Sequence, residues 1–455
     1  MRLTFYGGAG AVTGANYLLE IPSPQSEKGF LRILIDCGLA QGGNFVELHN
    51  YDPFPYNCAD IDAVFVTHAH IDHTGRLPKL MKEGFEGTVY STPPTRDCGE
   101  LLLLDSQNIL SQEAHRFGKG DLYSVEDIER LMQHWQSVVY HEPIQLAPGV
   151  KVTFYSAGHI LGSASILVEA EGKRVLFSGD LGNQPAPLIG PAECPVDVDY
   201  CLIESAYGDR EHEDKENRYA KLERVVLETV RNGGVLMVPA FALERTQILL
   251  LELHDMLAKH RIPPIPIFVD SPLAIKLTGI YTLYKDYLRP EVSEHFKHGE
   301  IFKFPGLRMT SSVEDSKSIN SAPNPKIVIA GSGMSHAGRI LHHELRYLPD
   351  PQSTLLIFGY QTIGSLGRRL LDGEKTVNIL GNPVRVHAHV KAIGGYSAHA
   401  DQKQLLAWAK PLSGKVKKIF VVQGEGNASI ALAAKLHEEL GITAVVPVAN
   451  ESVML

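Results

Sequence analysis

The sequence predicts an α/β protein in which a second α/β domain is inserted into the first. Short apolar runs separated by Gly, Pro and Asn turns fill the N-terminal part, as in a layered sheet. From residue 209 onward helical and strand-like segments alternate, which is typical of a parallel, doubly wound sheet. The last segment returns to the first pattern. We therefore expect residues 1–208 and 376–455 to form one domain and residues 209–375 to form the insertion.

Composition limits the class of protein. The chain has 455 residues, 44% of them hydrophobic, which is enough for two domains with sizeable cores. No apolar run is long enough to span a membrane, and the first residues read as a strand and not as a signal peptide. The five cysteines are scattered without a Cys-x-x-Cys pair, so neither a disulfide framework nor a thiolate zinc site is expected. We expect a cytoplasmic protein.

The N-terminal part reads as strands with two helices. Each predicted strand is a short apolar run bounded by turn residues. The strands are Leu3–Tyr6, Tyr17–Ile21, Leu31–Ile35, Ala63–Val66, Val89–Tyr90, Lys151–Tyr155, Lys173–Phe177 and Tyr200–Ile203. Asp97–Arg116 and Val125–Val138 read as helices, the second with Ser124 as its N-cap.

The middle part follows a charged stretch, Glu211–Arg218, and alternates helix with strand. The predicted helices are Asn217–Arg231, Glu244–His260, part of Tyr281–Phe302 with a break at Pro290, and Ala337–Tyr347. The predicted strands are Val235–Pro239, Ile265–Asp270, Lys326–Ala330 and Leu355–Phe358. Ser316–Pro325 is the most loop-like stretch. In the last segment we expect strands at Val384–Ile393 and Lys418–Val422 and helices at Gln402–Lys410 and Ser429–Leu440.

Several apolar strands stop at an acidic residue or a histidine. These strand-end residues are Asp36, His68, His159, Asp180 and Glu204. Side chains at the ends of neighbouring strands converge along one rim of a sheet, where α/β proteins build their sites. A single aspartate in such a place is usually a turn former or a helix cap. Five such positions in one chain instead favour a common site.

The stretch His68-Ala69-His70-Ile71-Asp72-His73 concentrates metal-ligand types. Imidazole nitrogen and carboxylate oxygen are the side-chain ligands that a zinc-like cation prefers. The spacing is too tight for all four side chains to face one ion. His68 and His70 can point one way while Asp72 and His73 point another, which suggests two adjacent metals.

These motifs resemble those of the metallo-β-lactamase superfamily, and further motifs resemble its β-CASP branch. The additional motifs are Glu204-Ser205-Ala206-Tyr207-Gly208-Asp209-Arg210, Gly359-Tyr360-Gln361 with Gly364-Ser365-Leu366-Gly367-Arg368-Arg369, and Ser397-Ala398-His399-Ala400-Asp401. Within the branch, the chain is similar to bacterial and archaeal RNA-processing nucleases related to the endonuclease subunit of the cleavage and polyadenylation factor. It looks like the short bacterial form. The resemblance implies an αββα sandwich with an inserted β-CASP domain.

The resemblance also implies roles for individual residues. His68, His70 and His159 would hold one zinc, Asp72 and His73 a second, and Asp180 would bridge both. Asp36 would orient a ligand imidazole through its other nitrogen. His399 would be the general acid that protonates the leaving oxygen, with Glu204 beside it favouring the imidazolium form. From the residues alone, His399 reads equally well as a helix-entry residue next to the N-cap Asp401.

Two glycine-rich stretches are candidates for contacts with the RNA backbone. Gly331-Ser332-Gly333-Met334 follows a strand and precedes a helix, so its backbone amides could hold a phosphate. The same pattern is common in plain turns. Ser332 and Gly333 are candidates for contacts with the RNA backbone, and so are Ser365, Gly367 and Arg368.

One position departs from the family pattern. Where the family has His-Gly-Glu after a strand, the chain has Gln423-Gly424-Glu425. An amide oxygen is a poorer zinc ligand than imidazole, so the second metal would be weak, exchanged for a harder cation such as Mn²⁺, or absent. The other interpretation is that His387 or His389 serves as the missing ligand. Otherwise these two histidines are structural.

The expected function is a zinc-dependent RNA phosphodiesterase in RNA processing or decay. Two-metal hydroxide attack would leave a 5′-phosphate and a 3′-hydroxyl. The expected partner is single-stranded RNA, with a homodimer left open. The net charge of −9 argues against a broad basic surface, so RNA would be held locally. The alternatives are a hydrolase of another phosphodiester such as DNA, and a weakly active or inactive RNA-binding homologue.

Overall fold

The chain folds into two compact units in a computed structural model that describes residues 1–23, 28–42, 47–116, 118–212, 218–298, 301–359, 361–362 and 364–455. The first unit comprises Met1–Glu211 and Ala398–Leu455, and the second comprises His212–Ser397. Strands are numbered along the whole chain.

Two seven-stranded sheets form the first unit. Their strands are β1 (Arg2–Gly7), β2 (Asn16–Pro22), β3 (Phe30–Ile35), β4 (Ala63–Phe65), β5 (Thr88–Ser91), β6 (Trp135–Ser137), β7 (Ile144–Ala147), β8 (Val150–Ser156), β9 (Ala164–Ala170), β10 (Lys173–Phe177), β11 (Tyr200–Glu204), β20 (Lys418–Val422), β21 (Ala444–Val445) and β22 (Ser452–Met454). One sheet has the order β22-β1-β2-β3-β4-β5-β6, and the other has the order β21-β20-β11-β10-β9-β8-β7. The helices of this unit are Ile71–Thr74, Leu77–Lys82, Pro93–Arg116, Val125–His134, Gln402–Ala409 and Gly426–Leu440.

The two sheets of the first unit pack face to face. Phe5 of one sheet and Phe420 of the other lie with ring centroids 5.3 Å apart, and both are buried. Strand β3 shows the alternation that this packing requires, because Ile33 and Ile35 enter the core between the sheets while Leu34 faces the other way.

Helices cover the outer face of each sheet. Leu34 and Val64 pack with Leu103 of helix Pro93–Arg116. On the second sheet, Val421 packs with Leu405 of helix Gln402–Ala409. The layer order is therefore αββα, which confirms the predicted fold class.

A parallel sheet organises the second unit. Its strands are β12 (Val235–Pro239), β13 (Ile267–Asp270), β14 (Leu307–Met309), β15 (Lys326–Ala330), β16 (Thr354–Phe358) and β19 (His389–Ile393), in the order β14-β13-β15-β12-β16-β19. A separate hairpin consists of β17 (Thr376–Ile379) and β18 (Asn382–Arg385). The helices are Arg218–Asn232, Arg245–Ala258, Pro272–Leu283, Pro290–His298, Val313–Ser318, Ile340–Tyr347 and Leu366–Leu371. Every pairing in the six-stranded sheet is parallel, as the helix–strand alternation predicts.

The chain returns to the first unit later than the sequence suggests. The sequence predicts the return at residue 376, but the second unit continues to Ser397. The reason is that β19 pairs in parallel with β16, and Val377 and Val384 of the hairpin join the core of the second unit.

One helix end and one loop also differ from their predicted bounds. The helix predicted to reach Val138 ends at His134, because Trp135–Ser137 pairs with β5 as an edge strand. Its N-cap is as predicted, since Ser124 forms a capping box with Asp127. Ser316–Pro325, predicted to be the most loop-like stretch, begins inside helix Val313–Ser318, whose N-cap is Ser312. Asn217, Tyr360 and most of the charged stretch before Arg218 lie outside the described residues.

No helix among the described residues combines the length and apolar character needed to cross a membrane.

Candidate metal centre

Strand ends of both sheets in the first unit supply the candidate metal-binding side chains. Strands β3, β4 and β5 run parallel, and so do β10, β11 and β20. The carboxyl ends of parallel neighbours lie at one edge of a sheet. Asp36 follows β3, and the loop after β4 carries His68 and His70 into the short helix Ile71–Thr74. Asp180 follows β10, and Glu204 ends β11.

His68, His70, His159 and Asp180 converge on one point. His70 Nδ1 lies 3.0 Å from His68 Nε2 and 3.3 Å from His159 Nε2. Asp180 Oδ2 lies 3.3 Å from His68 Nε2 and 3.5 Å from His159 Nε2. A tetrahedral metal with bonds of about 2.0–2.1 Å would set its ligand atoms about 3.3 Å apart. The four side chains therefore fit a tetrahedral cation.

Hydrogen bonds and burial prepare these imidazoles as ligands. His159 Nδ1 lies 3.1 Å from the carbonyl oxygen of Ala398, which accepts its proton and leaves Nε2 with a lone pair. Burial and neighbouring His68 lower the pKa of His70 well below its ordinary value. Burial and neighbouring His399 do the same to the pKa of His159. Neutral imidazole is the form that binds a cation.

Asp36 anchors the histidine that the sequence assigns to a second metal. Its Oδ2 lies 2.7 Å from Nδ1 of His73 and 2.7 Å from Oγ1 of Thr67, which donates to it. Its Oδ1 accepts a hydrogen bond from the backbone amide of Thr67 at 2.7 Å. All three residues are buried. The orienting contact expected for Asp36 is thus present, and it is made to His73. Thr67, which we did not single out, holds the carboxylate in place.

Gln423 lies where the family pattern has histidine, but it does not present an oxygen to this centre. Its Nε2 lies 2.7 Å from Asp180 Oδ1 and 3.0 Å from His73 Nε2. Asp72, also assigned to the second metal, approaches His73 Nε2 only to 3.8 Å. The amide nitrogen of Gln423, and not the expected amide oxygen, therefore faces this position. Among the described residues Asp72 and His73 belong to no convergent group of metal-ligating atoms, unlike the first set.

His399 lies beside the first ligand set and is paired with Glu204. Glu204 Oε1 lies 3.2 Å from His399 Nδ1 and also accepts the backbone amide of Leu181 at 2.7 Å. Burial opposes a charge on His399, but Glu204 and Asp180 outweigh it and raise the pKa of His399 to about 9. This pKa favours the protonated form of His399 at neutral pH. The side chain remains 25% exposed, so it is accessible to a substrate.

The candidate RNA contacts all lie in the second unit. Ser332 Oγ accepts the backbone amide of Ala337 at 3.3 Å, and Ser365 Oγ accepts that of Arg368 at 3.2 Å. Arg368 Nε pairs with Asp372, and the Gly367 amide donates to the Met334 carbonyl at 3.2 Å. These contacts order two loops. A role for them or for Gly333 in RNA binding stays a prediction.

His387 and His389 also belong to the second unit. Neither takes part in a group of convergent metal-ligating side chains among the described residues, where two such groups occur: His68, His70, His159 and Asp180, and Asp180, Glu204 and His399. The structure thus gives no support to a ligand role for either histidine.

Three family models match successive parts of the chain. Residues 27–184 match a metallo-beta-lactamase superfamily domain, residues 246–370 a Beta-Casp domain, and residues 383–447 a Zn-dependent metallo-hydrolase RNA specificity domain.

Similar proteins match over almost the full length of the chain. Ribonuclease TTHA0252 of Thermus thermophilus is 37% identical over 96% of both chains. The RNase J-like protein of Methanocaldococcus jannaschii is 31% identical over 98% of both chains. Transcription termination factor FttA of Methanosarcina mazei is 32% identical over 97% of this chain and 70% of its own length.

A solved structure shares the fold. It is a protein of unknown function from Enterococcus faecalis, 12% identical, with a TM-score of 0.56 and coverage of 100% of this chain and 99% of its own. The three domain matches agree with a metallo-β-lactamase unit into which a second domain is inserted. The chain belongs to the β-CASP family of the metallo-β-lactamase superfamily, and its match to a Zn-dependent metallo-hydrolase domain together with its ribonuclease relatives identifies it as a metal-dependent hydrolase.

Proposed function

We propose that the chain is a zinc-dependent ribonuclease that hydrolyses single-stranded RNA and leaves 5′-phosphate and 3′-hydroxyl ends. The observation that carries this proposal is the convergence of three imidazoles, two of them buried, and Asp180 at tetrahedral spacing, with the His399–Glu204 pair beside them. Similarity over 96% of both chains to a protein named ribonuclease supports RNA as the substrate.

His68, His70, His159 and Asp180 would hold the cation. Three imidazoles with a fourth oxygen position form a common catalytic zinc set. The chemistry supplied by a divalent cation there, once bound, is polarisation of the scissile phosphate and acidification of water. The Ala398 carbonyl keeps the proton of His159 on Nδ1, so that its Nε2 points its lone pair at the ligand set.

His399 would act as the general acid. Glu204 holds its Nδ1, which assigns proton transfer to Nε2. When the bond between phosphorus and the 3′-oxygen breaks, that oxygen takes the proton from Nε2 and becomes a 3′-hydroxyl. The water oxygen, which attacks phosphorus as that bond breaks, stays on phosphorus and yields the 5′-phosphate. The proton that the water loses passes to solvent, from which His399 is reprotonated. Glu204 stabilises the imidazolium before transfer, as its effect on the pKa of His399 indicates.

The products of cleavage test this proposal. A 5′-labelled RNA oligonucleotide, a copy with one 2′-deoxynucleotide at the cut position, and DNA of the same sequence would be incubated with the zinc-loaded chain. We expect both RNA substrates to be cut to 5′-phosphate and 3′-hydroxyl ends, and the DNA to be cut poorly. Ends carrying 2′,3′-cyclic phosphate would show that the 2′-hydroxyl attacks. DNA cut as fast as RNA would favour the broader phosphodiesterase.

Gln423 favours a second candidate function, an RNA-binding homologue with little or no cleavage. Its amide occupies the position in which the family pattern has a metal-binding histidine. In the same assay this candidate predicts a retained RNA complex and intact RNA at every zinc concentration. Cleavage that depends on His399 would exclude it.

A further inference from the structure

The side chain of Gln423 is held in one orientation at the end of β20. The residue is buried, and its backbone has φ of +50°. Its backbone amide donates a 2.6 Å hydrogen bond to the carbonyl oxygen of Gly8. A Cβ atom at Gly8 would lie 3.3 Å from Gln423 Cγ and 2.3 Å from the hydroxyl of Tyr17, so this close approach requires glycine. From this fixed backbone the side-chain amide reaches Asp180 and His73, at 2.7 Å and 3.0 Å.

Hydrogen-bond chemistry determines which amide atom faces the centre. Asp180 is a carboxylate and can only accept, so the atom 2.7 Å from its Oδ1 is the amide nitrogen of Gln423. Nδ1 of His73 lies 2.7 Å from Asp36 Oδ2 and donates to it. In the neutral imidazole, which is the form that binds a metal, the lone pair is then on Nε2, 3.0 Å from the same amide nitrogen. In that tautomer each of the two amide hydrogens faces one acceptor.

These two acceptors are the atoms that a second cation would need. Asp180 Oδ1 and His73 Nε2 lie 3.3 Å apart, the spacing of two ligands on one ion. The Gln423 amide directs two hydrogens between them and supplies partial positive charge where the cation would lie. The first set is different, because there the nitrogens of His68, His70 and His159 face one another.

We infer that this chain binds a single divalent cation, at His68, His70, His159 and Asp180, and that the side-chain amide of Gln423 takes the place of a second one. The inference rests on the metal-dependent function proposed above and specifies its centre. Asp180 then uses Oδ2 for the cation and Oδ1 for the amide, so Gln423 fixes the orientation of a ligand carboxylate. The amide is a structural substitute for a cation and not a weak ligand.

Metal stoichiometry tests the inference without reference to activity. The purified chain would be saturated with zinc, separated from unbound metal by gel filtration, and measured by elemental analysis and native mass spectrometry. We expect one zinc per chain in the wild type. Gln423→His and Gln423→Glu exchange the amide donor for a nitrogen or oxygen ligand, and each should bind two. Gln145→His adds a histidine to an exposed strand and should remain at one.

Two results would overturn the inference. One is a wild-type chain that retains two zinc ions. The other is a count of one in both Gln423 variants when their circular dichroism and melting temperature match those of the wild type. If neither variant folds, the wild-type count alone decides. A wild-type chain that binds one zinc and does not cut RNA would contradict the proposed ribonuclease function and leave this inference standing.

Discussion

His399 shows how a single side chain is prepared for proton transfer. Its Nδ1 is held by Glu204, and the backbone on either side is fixed to the loop after β10, because the Asn183 amide donates to the Ala398 carbonyl and the Ala400 amide donates to the Leu181 carbonyl. The ring centroids of His399 and His159 are 4.6 Å apart. The histidine is therefore adjacent to the metal ligands without belonging to the tetrahedral set.

Replacement of His399 separates proton transfer from metal binding. His399→Ala should slow RNA cleavage by about 10²–10⁴-fold, the usual contribution of a positioned acid, and should leave zinc content unchanged. His141→Ala, which removes an exposed histidine paired with Glu193, is the control and should alter neither quantity. Rate and zinc content would be measured on the same preparations. Loss of zinc in parallel with activity, or full activity in the variant, would remove the general-acid assignment.

Residue types and their spacing predict most residues of the metal centre. They do not predict the hydrogen bonds that hold those residues in place. The strand-end pattern brings out Asp36, His68, His159, Asp180 and Glu204, and the structure assembles all of them within the first unit. Thr67 escapes detection because threonine before histidine carries no signal of its own. The direction of the Gln423 amide also depends on Gly8 and Asp180, which are distant from Gln423 in sequence, so no local pattern reveals it.

At the scale of elements, two loops that carry ligands pack backbone against backbone. A Cβ atom on Gly182, two residues after Asp180, would lie 1.6 Å from the carbonyl oxygen of Gly158, which precedes His159. The Gly182 amide also donates to the Ala157 carbonyl at 2.9 Å. Glycine at this position is what allows Asp180 and His159 to approach one another.

Gly182→Ala should push these loops apart and weaken zinc binding. We expect about 10–100-fold lower zinc affinity, the range found when the outer supports of metal ligands are removed. Gly190→Ala is the matched control, since a Cβ atom there meets no atom within 4 Å. A competition titration with a zinc chelator would measure both variants. Equal affinities would show that the loop contact does not set the ligand geometry.

A buried carboxyl group makes the second unit sensitive to pH. Glu344 lies on helix Ile340–Tyr347 and accepts a 2.5 Å hydrogen bond from the hydroxyl of Ser335. Burial raises the pKa of Glu344 from 4.5 to about 8, although the Ser335 hydrogen bond opposes the shift. The folded chain thus binds this proton more tightly than the unfolded chain. The protonated carboxyl of Glu344 therefore contributes fully to stability below about pH 4.5, and this contribution is lost as the pH rises through about 8.

Glu344→Gln should therefore flatten part of the pH dependence of unfolding. The free energy of unfolding from denaturant titrations should fall between about pH 5 and pH 8.5 in the wild type and fall less in the variant. Glu314→Gln, at an exposed position on another helix of the second unit, serves as the control. Identical slopes in Glu344→Gln and the wild type would show that Glu344 does not titrate in this range.

The periodicity of apolar residues predicts elements better than their ends. Strands β10, β12, β15 and β20 have the predicted bounds, because each is an apolar run closed by turn or charged residues. The sequence does not predict strands β6, β7, β9, β14, β17, β21 and β22. Helix Val125–His134 ends early because Trp135 enters a sheet and donates its indole N–H to Ser91, a tertiary contact that local pattern cannot supply.

At the scale of the whole molecule, strand pairing determines which parts of the chain form each unit. The first unit is assembled from two distant parts of the chain, since β11 pairs in parallel with β20 and β1 pairs with β22. The insertion could be predicted because the last segment resembles the first. Its end at Ser397 could not, because it depends on β19 pairing with β16.

The most direct test of the account is RNA cleavage during zinc add-back. The chain would be stripped with a chelator, shown by elemental analysis to be metal-free, and given zinc in sub-stoichiometric steps while cleavage of labelled RNA is followed. We predict no cleavage without metal, a rise in rate with the first equivalent of zinc, and no rise in a His68→Ala variant carried through the same steps. Undiminished cleavage by the metal-free chain, or intact RNA at every zinc level, would contradict the claim that this centre is that of a zinc-dependent ribonuclease.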